Sequence, residues 1–357
     1  MSNMTMRERI LAVVQGREVD RVPFVAYDML IPVTETLRRL GPGGIGLLRW
    51  CKLFRVVSPN CRFETREHYE GPNLHRRTEL LTPLGSIYEQ KVFTSALNPD
   101  LDYGGVYKHY VERPEDYEVL WYYLQNSLIL ENYDQYYQDQ AELGDHGWPL
   151  PYVERTPYQQ LWIEWVGLEN FAFHMADYHD RVGRTMELLQ ARARRIFEIA
   201  YRSPAPFIDV PDNITAPVIG SRRFREHCVP LYNELADMMG ELNAAVFVHM
   251  DGQLKPLWED IARLRITGID SFTPPPDCDT TPARAAAMWP EKRLWLNFPS
   301  SIHIASPDQI RAIAETILAE AGHTGRLQIQ ISENMPPCAW RTSFPIIVDA
   351  IEAFGAP

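Results

Sequence analysis

The stretch AVFVHMDG, Ala245–Gly252, decides how this chain is read. Its first four residues are apolar and uncharged, and they break abruptly into His249, Met250, Asp251 and Gly252. A buried parallel strand ends this way where it meets a functional rim. His249 and Asp251 are two residues apart, so an extended backbone presents both on one face. They are the first candidates for chemistry.

The same pattern repeats on either side. FIDVPDNI (207–214) is an apolar run ending in Asp209, Asp212 and Asn213, and a helical stretch follows from Ser221. Downstream, GIDSFTPPP (268–276), RLWLNFPSS (293–301) and RLQIQISENMPP (326–337) each precede a segment with helical periodicity. Five strand-then-helix units in succession are the rhythm of a parallel sheet covered by helices. No turn among them carries GxGxxG, so a dinucleotide-binding doubly wound sheet is disfavoured. A (β/α)8 TIM barrel instead gathers polar strand ends at one rim. Those ends supply Asp28, Asp209, Asp212, Asn213, His249, Asp251, Asn297, Glu333 and Asn334.

Toward the N-terminus, residues 4–15 share an apolar face and stop at Gly16, and DRVPFVAYD (20–28) reads as the first barrel strand. From Cys61 to Phe93 the period changes to two, with turn residues at Gly71-Pro72 and Thr82–Gly85. That is an antiparallel β insertion. The expectation is therefore an α/β chain: one barrel domain over 1–357, with an insertion at about 45–110 covering the mouth. In the segment LWIEWVG, Glu164 lies in a tryptophan-flanked apolar run. A buried glutamate has to be paired, protonated or metal-bound, so Glu164 joins the candidates.

Composition narrows the partners. With 35 basic and 47 acidic residues the net charge is -12, which repels nucleic acid and anionic membrane. The N-terminal stretch is charged and amphipathic, unlike a signal peptide or a spanning helix, which predicts a cytoplasmic protein. Five cysteines, none spaced CxxC, exclude a disulfide framework and a thiolate zinc ribbon. The rim lacks a serine–histidine pairing on a nucleophile elbow, so acyl transfer through a triad is not expected. Two classes remain open: a metal held by His249 with carboxylates such as Asp251 and Glu333, or metal-free acid–base work by the same groups.

Three stretches carry a family resemblance: MRERILAVVQGREVDRVPF (6–24), FIDVPDNITAPVIGSRRFREHCVPLYNEL (207–235) and VFVHMDGQLKPLWEDIARLRITGIDSFTPPP (246–276). Together they resemble the uroporphyrinogen decarboxylase superfamily, which implies a (β/α)8 barrel. The decarboxylase branch has an RQAGR signature after its first strand, where this chain reads YDMLIPVTETLRRLG (27–41). The corrinoid-dependent methyltransferase branch has His-x-Cys at the position of His249 and a second Cys on the last strand. Here Asp251 stands in place of the first Cys, and Glu333 lies near the position of the second. The resemblance thus implies a zinc-dependent enzyme moving a methyl group from a small methylated substrate, such as an aryl methyl ether, to cobalamin on a partner corrinoid protein. His249, Asp251 and Glu333 would be its catalytic and metal residues. Asp28, Glu164, Asp209, Asp212, Asn213 and Asn297 would bind substrate. A carboxylate–imidazole set is harder than a thiolate set and suits an oxygen or nitrogen substrate. Two alternatives stand beside it: a metal-free lyase acting on an anionic ligand, for which Arg66, Arg77, Arg222 and Arg223 are the available cations, and a non-catalytic ligand-binding barrel. A homodimer is compatible with any of these.

Overall fold

A computed structural model of the protein describes residues 4–41, 43–94, 104–332 and 334–357. The chain divides into two compact units. The first comprises residues 1–53, 132–153 and 200–357, and the second comprises 54–131 and 154–199.

Among the described residues the first unit holds eight strands: β1 (Val25–Tyr27), β2 (Gly46–Cys51), β3 (Gly147–Pro151), β4 (Phe207–Val210), β5 (Ala245–Val248), β6 (Gly268–Phe272), β7 (Arg293–Phe298) and β8 (Leu327–Ile331). All their pairings are parallel. They form a three-stranded sheet, β1-β2-β3, and a five-stranded sheet, β4-β5-β6-β7-β8. Single parallel bridges, Phe24 to Ile329 and Tyr152 to Asp209, link the two sheets at both edges. The α/β class with parallel sheets is as expected; the ladders are interrupted at two places rather than continuous.

Two parallel strands escaped the sequence reading. GLLRWC (46–51) falls within the stretch assigned to the insertion, yet β2 pairs in parallel with β1 and β3. β3 is GWPLP, whose Pro149 and Pro151 argue against a central strand. The prolines are tolerated because β3 has a full ladder on one side only and meets β4 through one bridge.

Helix Met6–Gln15 opens with a capping box formed by Thr5 and Glu8 and stops at left-handed Gly16. The apolar core of this unit runs through Ile10, Val25, Leu48, Leu150, Phe207, Phe247 and Trp295. These residues come from both sheets and the first helix. No helix among the described residues is long and apolar enough to cross a membrane.

The second unit carries the antiparallel insertion. Strands Arg62–Glu70, Asn73–Thr82, Gly85–Phe93 and Gly105–Lys108 form a four-stranded meander. Its turns fall where the sequence placed them: Glu70 pairs with Asn73 across left-handed Gly71, and Thr82 pairs with Gly85. A short antiparallel pair, Phe54–Val57 with Leu128–Glu131, and helices Asp116–Gln125, Leu168–Asp177 and most of His179–Tyr201 complete it.

Candidate active site

The strand registers of the first unit place an apolar layer directly before a polar one. Phe207 and Asp209 are two residues apart on β4, and Asp209 stands opposite Phe247 of β5. His249 lies two residues beyond Phe247, so Phe207, Asp209, Phe247 and His249 share a face. Trp295 and Asn297 follow the same step on β7, opposite Gln328 and Gln330 of β8. The rings of Phe247 and Trp295 stack with centroids 4.0 Å apart, and Phe207 meets Trp295 edge-on. On β6, Gly268 stands opposite Phe247, and Asp270 follows two residues later. A Cβ on Gly268 would run into the Phe247 ring, with Cδ1 at 2.7 Å, which is why the position has no side chain. Beyond these aromatics the strands deliver Tyr27, Asp209, His249, Asp270, Asn297 and Gln330, all buried.

Hydrogen bonds fix much of this polar layer. Gln330 Nε2 donates to Asp270 Oδ1 at 2.6 Å, and the Tyr27 hydroxyl donates to the same oxygen at 3.3 Å. Gln328 Nε2 in turn donates to Gln330 Oε1 at 3.1 Å. Asp270 sits where the β6–β7 register slips between Ile269 and Phe272, an irregularity of the kind that re-aims a side chain beside active sites. On the other flank, Ser271 Oγ donates to Asn297 Oδ1 at 2.7 Å.

Asp209 differs from these. Its side chain is 3% exposed, and its Oδ1 is buried without a hydrogen-bond partner. Its carboxyl is held well above the usual carboxylate range, first by burial and then by the negative charge of Asp270, with His249 opposing and Asp212 adding to the effect. Ionising a carboxyl in such surroundings is costly, which favours the neutral form of Asp209 at the strand ends.

His249 Nε2 stands 3.5 Å from Asp251 Oδ2, with the imidazole buried and the carboxylate partly open to solvent. The backbone carbonyl of Asp251 accepts from Cys278 Sγ at 3.2 Å. Burial, then the nearby Asp251, Asp279 and Asp277, pushes that thiol up to about 11, so it stays protonated. Asp279 braces the loop after β5 by accepting from the backbone N–H groups of Leu254 and Lys255.

Of the residues singled out by sequence, Asp209, His249, Asp251 and Asn297 lie together on β4, β5 and β7 or just beyond their ends. Asp212 is buried but bound at 2.5 Å by the Tyr232 hydroxyl, which pins the loop after β4 to helix Val229–Gly240. Asn213 is half-buried on that same loop. Asp28, directly after β1, is held by Arg49: its Oδ2 takes a 2.6 Å bond from that guanidinium, which also binds Asp139 and Glu142. Glu164 corrects the expectation of a buried carboxylate. It lies in the second unit on a π-helical turn, Leu161–Trp165, 42% exposed and 3.6 Å from Arg155. Glu333 lies outside the described residues. Tyr27, Asp270, Gln328 and Gln330 were not anticipated. The alternation in LQIQI, with glutamines on one face and aliphatics on the other, is the signal that could have found two of them.

A zinc site needs about three protein ligands. His249 and Asp251 offer two donors, and no group of three or more His, Cys, Asp or Glu is placed to hold a metal among the described residues. The described donor set does not by itself fit zinc.

Comparison with known proteins gives a family match. The sequence model described as uroporphyrinogen decarboxylase (URO-D) matches residues 165–344, half of the 357-residue chain. No curated protein matches the chain. Among solved structures, a B12-independent methionine synthase from Shewanella sp. W3-18-1 in complex with selenomethionine is similar over 90% of this chain and 84% of that one, at 9% identity and a TM-score of 0.43. At that identity and score it is a likeness and no more.

Proposed function

Because this chain belongs to the uroporphyrinogen decarboxylase (URO-D) family, we propose that its eight parallel strands form a (β/α)8 barrel whose polar ends catalyse acid-assisted methyl transfer. The substrate is a small uncharged methyl ether, such as an aryl methyl ether, and the acceptor is the corrinoid of a partner protein. The two parallel bridges between the sheets support the ring of strands. The observation that carries the chemistry is Asp209, a buried carboxyl with an unpartnered oxygen, whose neutral form is favoured by burial and by the charge of Asp270.

Breaking a carbon–oxygen bond leaves an electron pair on oxygen, and a neutral acid beside it can supply the proton. In this reading Asp209 gives its proton to the leaving oxygen as the methyl group departs, so the product leaves as a neutral alcohol or phenol. Asp209 then regains a proton from solvent by way of His249. Asp270, held by Gln330 and Tyr27, keeps the Asp209 proton in place between turnovers. The corrinoid supplies the acceptor for the methyl group.

The lyase alternative needs cations for an anionic substrate, and the arrangement favours it less. In the second unit Arg66 is ion-paired with Glu64 and Arg77 with Glu79, while Arg222 and Arg223 are exposed. Around Asp209 the charges are mostly acidic: Asp212, Asp251 and Asp270. Such a surplus repels a polycarboxylate.

The test incubates purified protein with a panel of methoxyaryl compounds and free reduced cobalamin as acceptor, and measures demethylated product. Asp209→Asn is expected to slow product formation by about 10²- to 10⁴-fold, the usual contribution of general acid catalysis. Release of carbon dioxide from a carboxylated substrate, with no demethylation across the panel, would instead favour the lyase. Zinc on His249, Asp251 and Glu333 is a separate expectation, checked by metal content in the wild type and in His249→Ala.

A further inference from the structure

The second unit contains a cavity of about 460 Å³, within the range that holds small organic ligands. Leu124, Leu128, Leu130 and Leu188 supply apolar wall, and Arg192 and Arg195 supply the polar part. Leu128 is 55% exposed although it is large and apolar, so the wall is not closed by the chain's own packing. Arg192 is the decisive residue. Its side chain is 8% exposed, and Glu154 occupies its Nε and Nη2 at 2.6 and 2.5 Å. The remaining nitrogen, Nη1, is buried with no hydrogen-bond partner. A buried guanidinium nitrogen without an acceptor is costly, and an acceptor supplied by a ligand removes that cost. Glu154 fixes the fork in place, so the free donors are preorganised.

We infer that this cavity is a binding site for a small amphipathic carboxylate, which sets its carboxylate against Arg192 Nη1 and its apolar body against the leucines. Arg195, at the same wall and bound to Glu198 at 2.7 Å, adds positive charge beside the carboxylate. The site is independent of the chemistry assigned to Asp209.

Titration calorimetry of the full chain with octanoate and with octanol tests it. Octanoate is expected to bind saturably with one molecule per chain, and octanol, which has the same apolar body without the anion, at least ten-fold more weakly. Leu188→Trp fills the cavity while leaving Arg192 and Glu154 in place, and is expected to abolish octanoate binding. Ala191→Trp, at the exposed edge of the same wall, serves if that variant fails to fold. Absence of saturable octanoate binding, equal affinity for octanol, or binding unchanged in the folded tryptophan variant would each overturn the inference.

Discussion

Asp209 ties the protonation of one side chain to the stability of the whole fold. Burial and the charge of Asp270 raise its carboxyl in the folded protein, whereas in the unfolded chain it titrates near the ordinary value of about 4. The folded state therefore binds the extra proton, and the slope of stability against pH is negative wherever the two states differ. This contribution is complete below the unfolded value and is lost as pH rises toward the folded one. Asp209→Asn has no proton to lose. Melting temperatures recorded from about pH 4 to about pH 7 should fall more steeply for the wild type than for the variant. Parallel curves would mean that Asp209 is already ionised in the fold, and the acid role would go with it. Sequence pointed to this residue because it breaks an apolar run, FIDVPD, just as His249 and Asn297 break theirs. Glu164 broke an apolar run too, but a π-helical turn carried it outward. A contrast of polarity along one segment shows that a residue is unusual; which way it faces depends on backbone geometry that the segment does not encode.

At the scale of elements, the loops after β4 and β5 are laced together, and Gly252 is the point of closest approach. Gly252 N–H donates to Ile214 O at 3.2 Å, Gln253 N–H to Thr215 Oγ1 at 3.3 Å, and Ala216 N–H to Gln253 O at 2.8 Å. A Cβ on Gly252 would collide with Thr215 Cβ and come within 2.6 Å of Thr215 Oγ1 and 2.8 Å of Ile214 O. Gly252→Ala should thus push the two loops apart, at a cost of about 1–3 kcal/mol for the overpacking. It should also shift Asp251 away from His249. Urea unfolding reads the first effect and the rate of demethylation the second; a variant with both unchanged would show that the loops are not rigidly coupled. The HMDG ending was legible as a rim, but the partner loop that makes its glycine necessary was not. Contacts between successive strand ends depend on register, which is set by pairing across 38 residues from Ile214 to Gly252. The same limit hid β2 and β3. β2 lies in the stretch read as the insertion, β3 carries two prolines, and their neighbours make them strands.

For the first unit as a whole, the βα rhythm of residues 207–354 was plain in the sequence because each unit there is long and regularly punctuated. The N-terminal strands gave no such rhythm, since one segment of the second unit, 54–131, lies between β2 and β3, and another, 154–199, lies between β3 and β4. The ladders reflect that difference. Within the five-stranded sheet, β7 and β8 pair over five residues, whereas among the described residues the two sheets pair with each other through isolated bridges at Phe24–Ile329 and Tyr152–Asp209. At these bridges Ile329 N–H donates to Pro23 O, and Val153 N–H to Asp209 O, both at 3.0 Å. Proteins open along their least supported lines, so these seams should loosen before the sheets themselves. In deuterium exchange, the Val153 and Ile329 amides should lose their protons ahead of those in β6 and β7; simultaneous exchange of all eight strands would contradict it. Asp209 belongs to one seam through its carbonyl and to the acid site through its carboxyl. A molecule bound against that carboxyl therefore stabilises the closed seam, and slower deuterium uptake at Val153 becomes a label-free gauge of substrate occupancy.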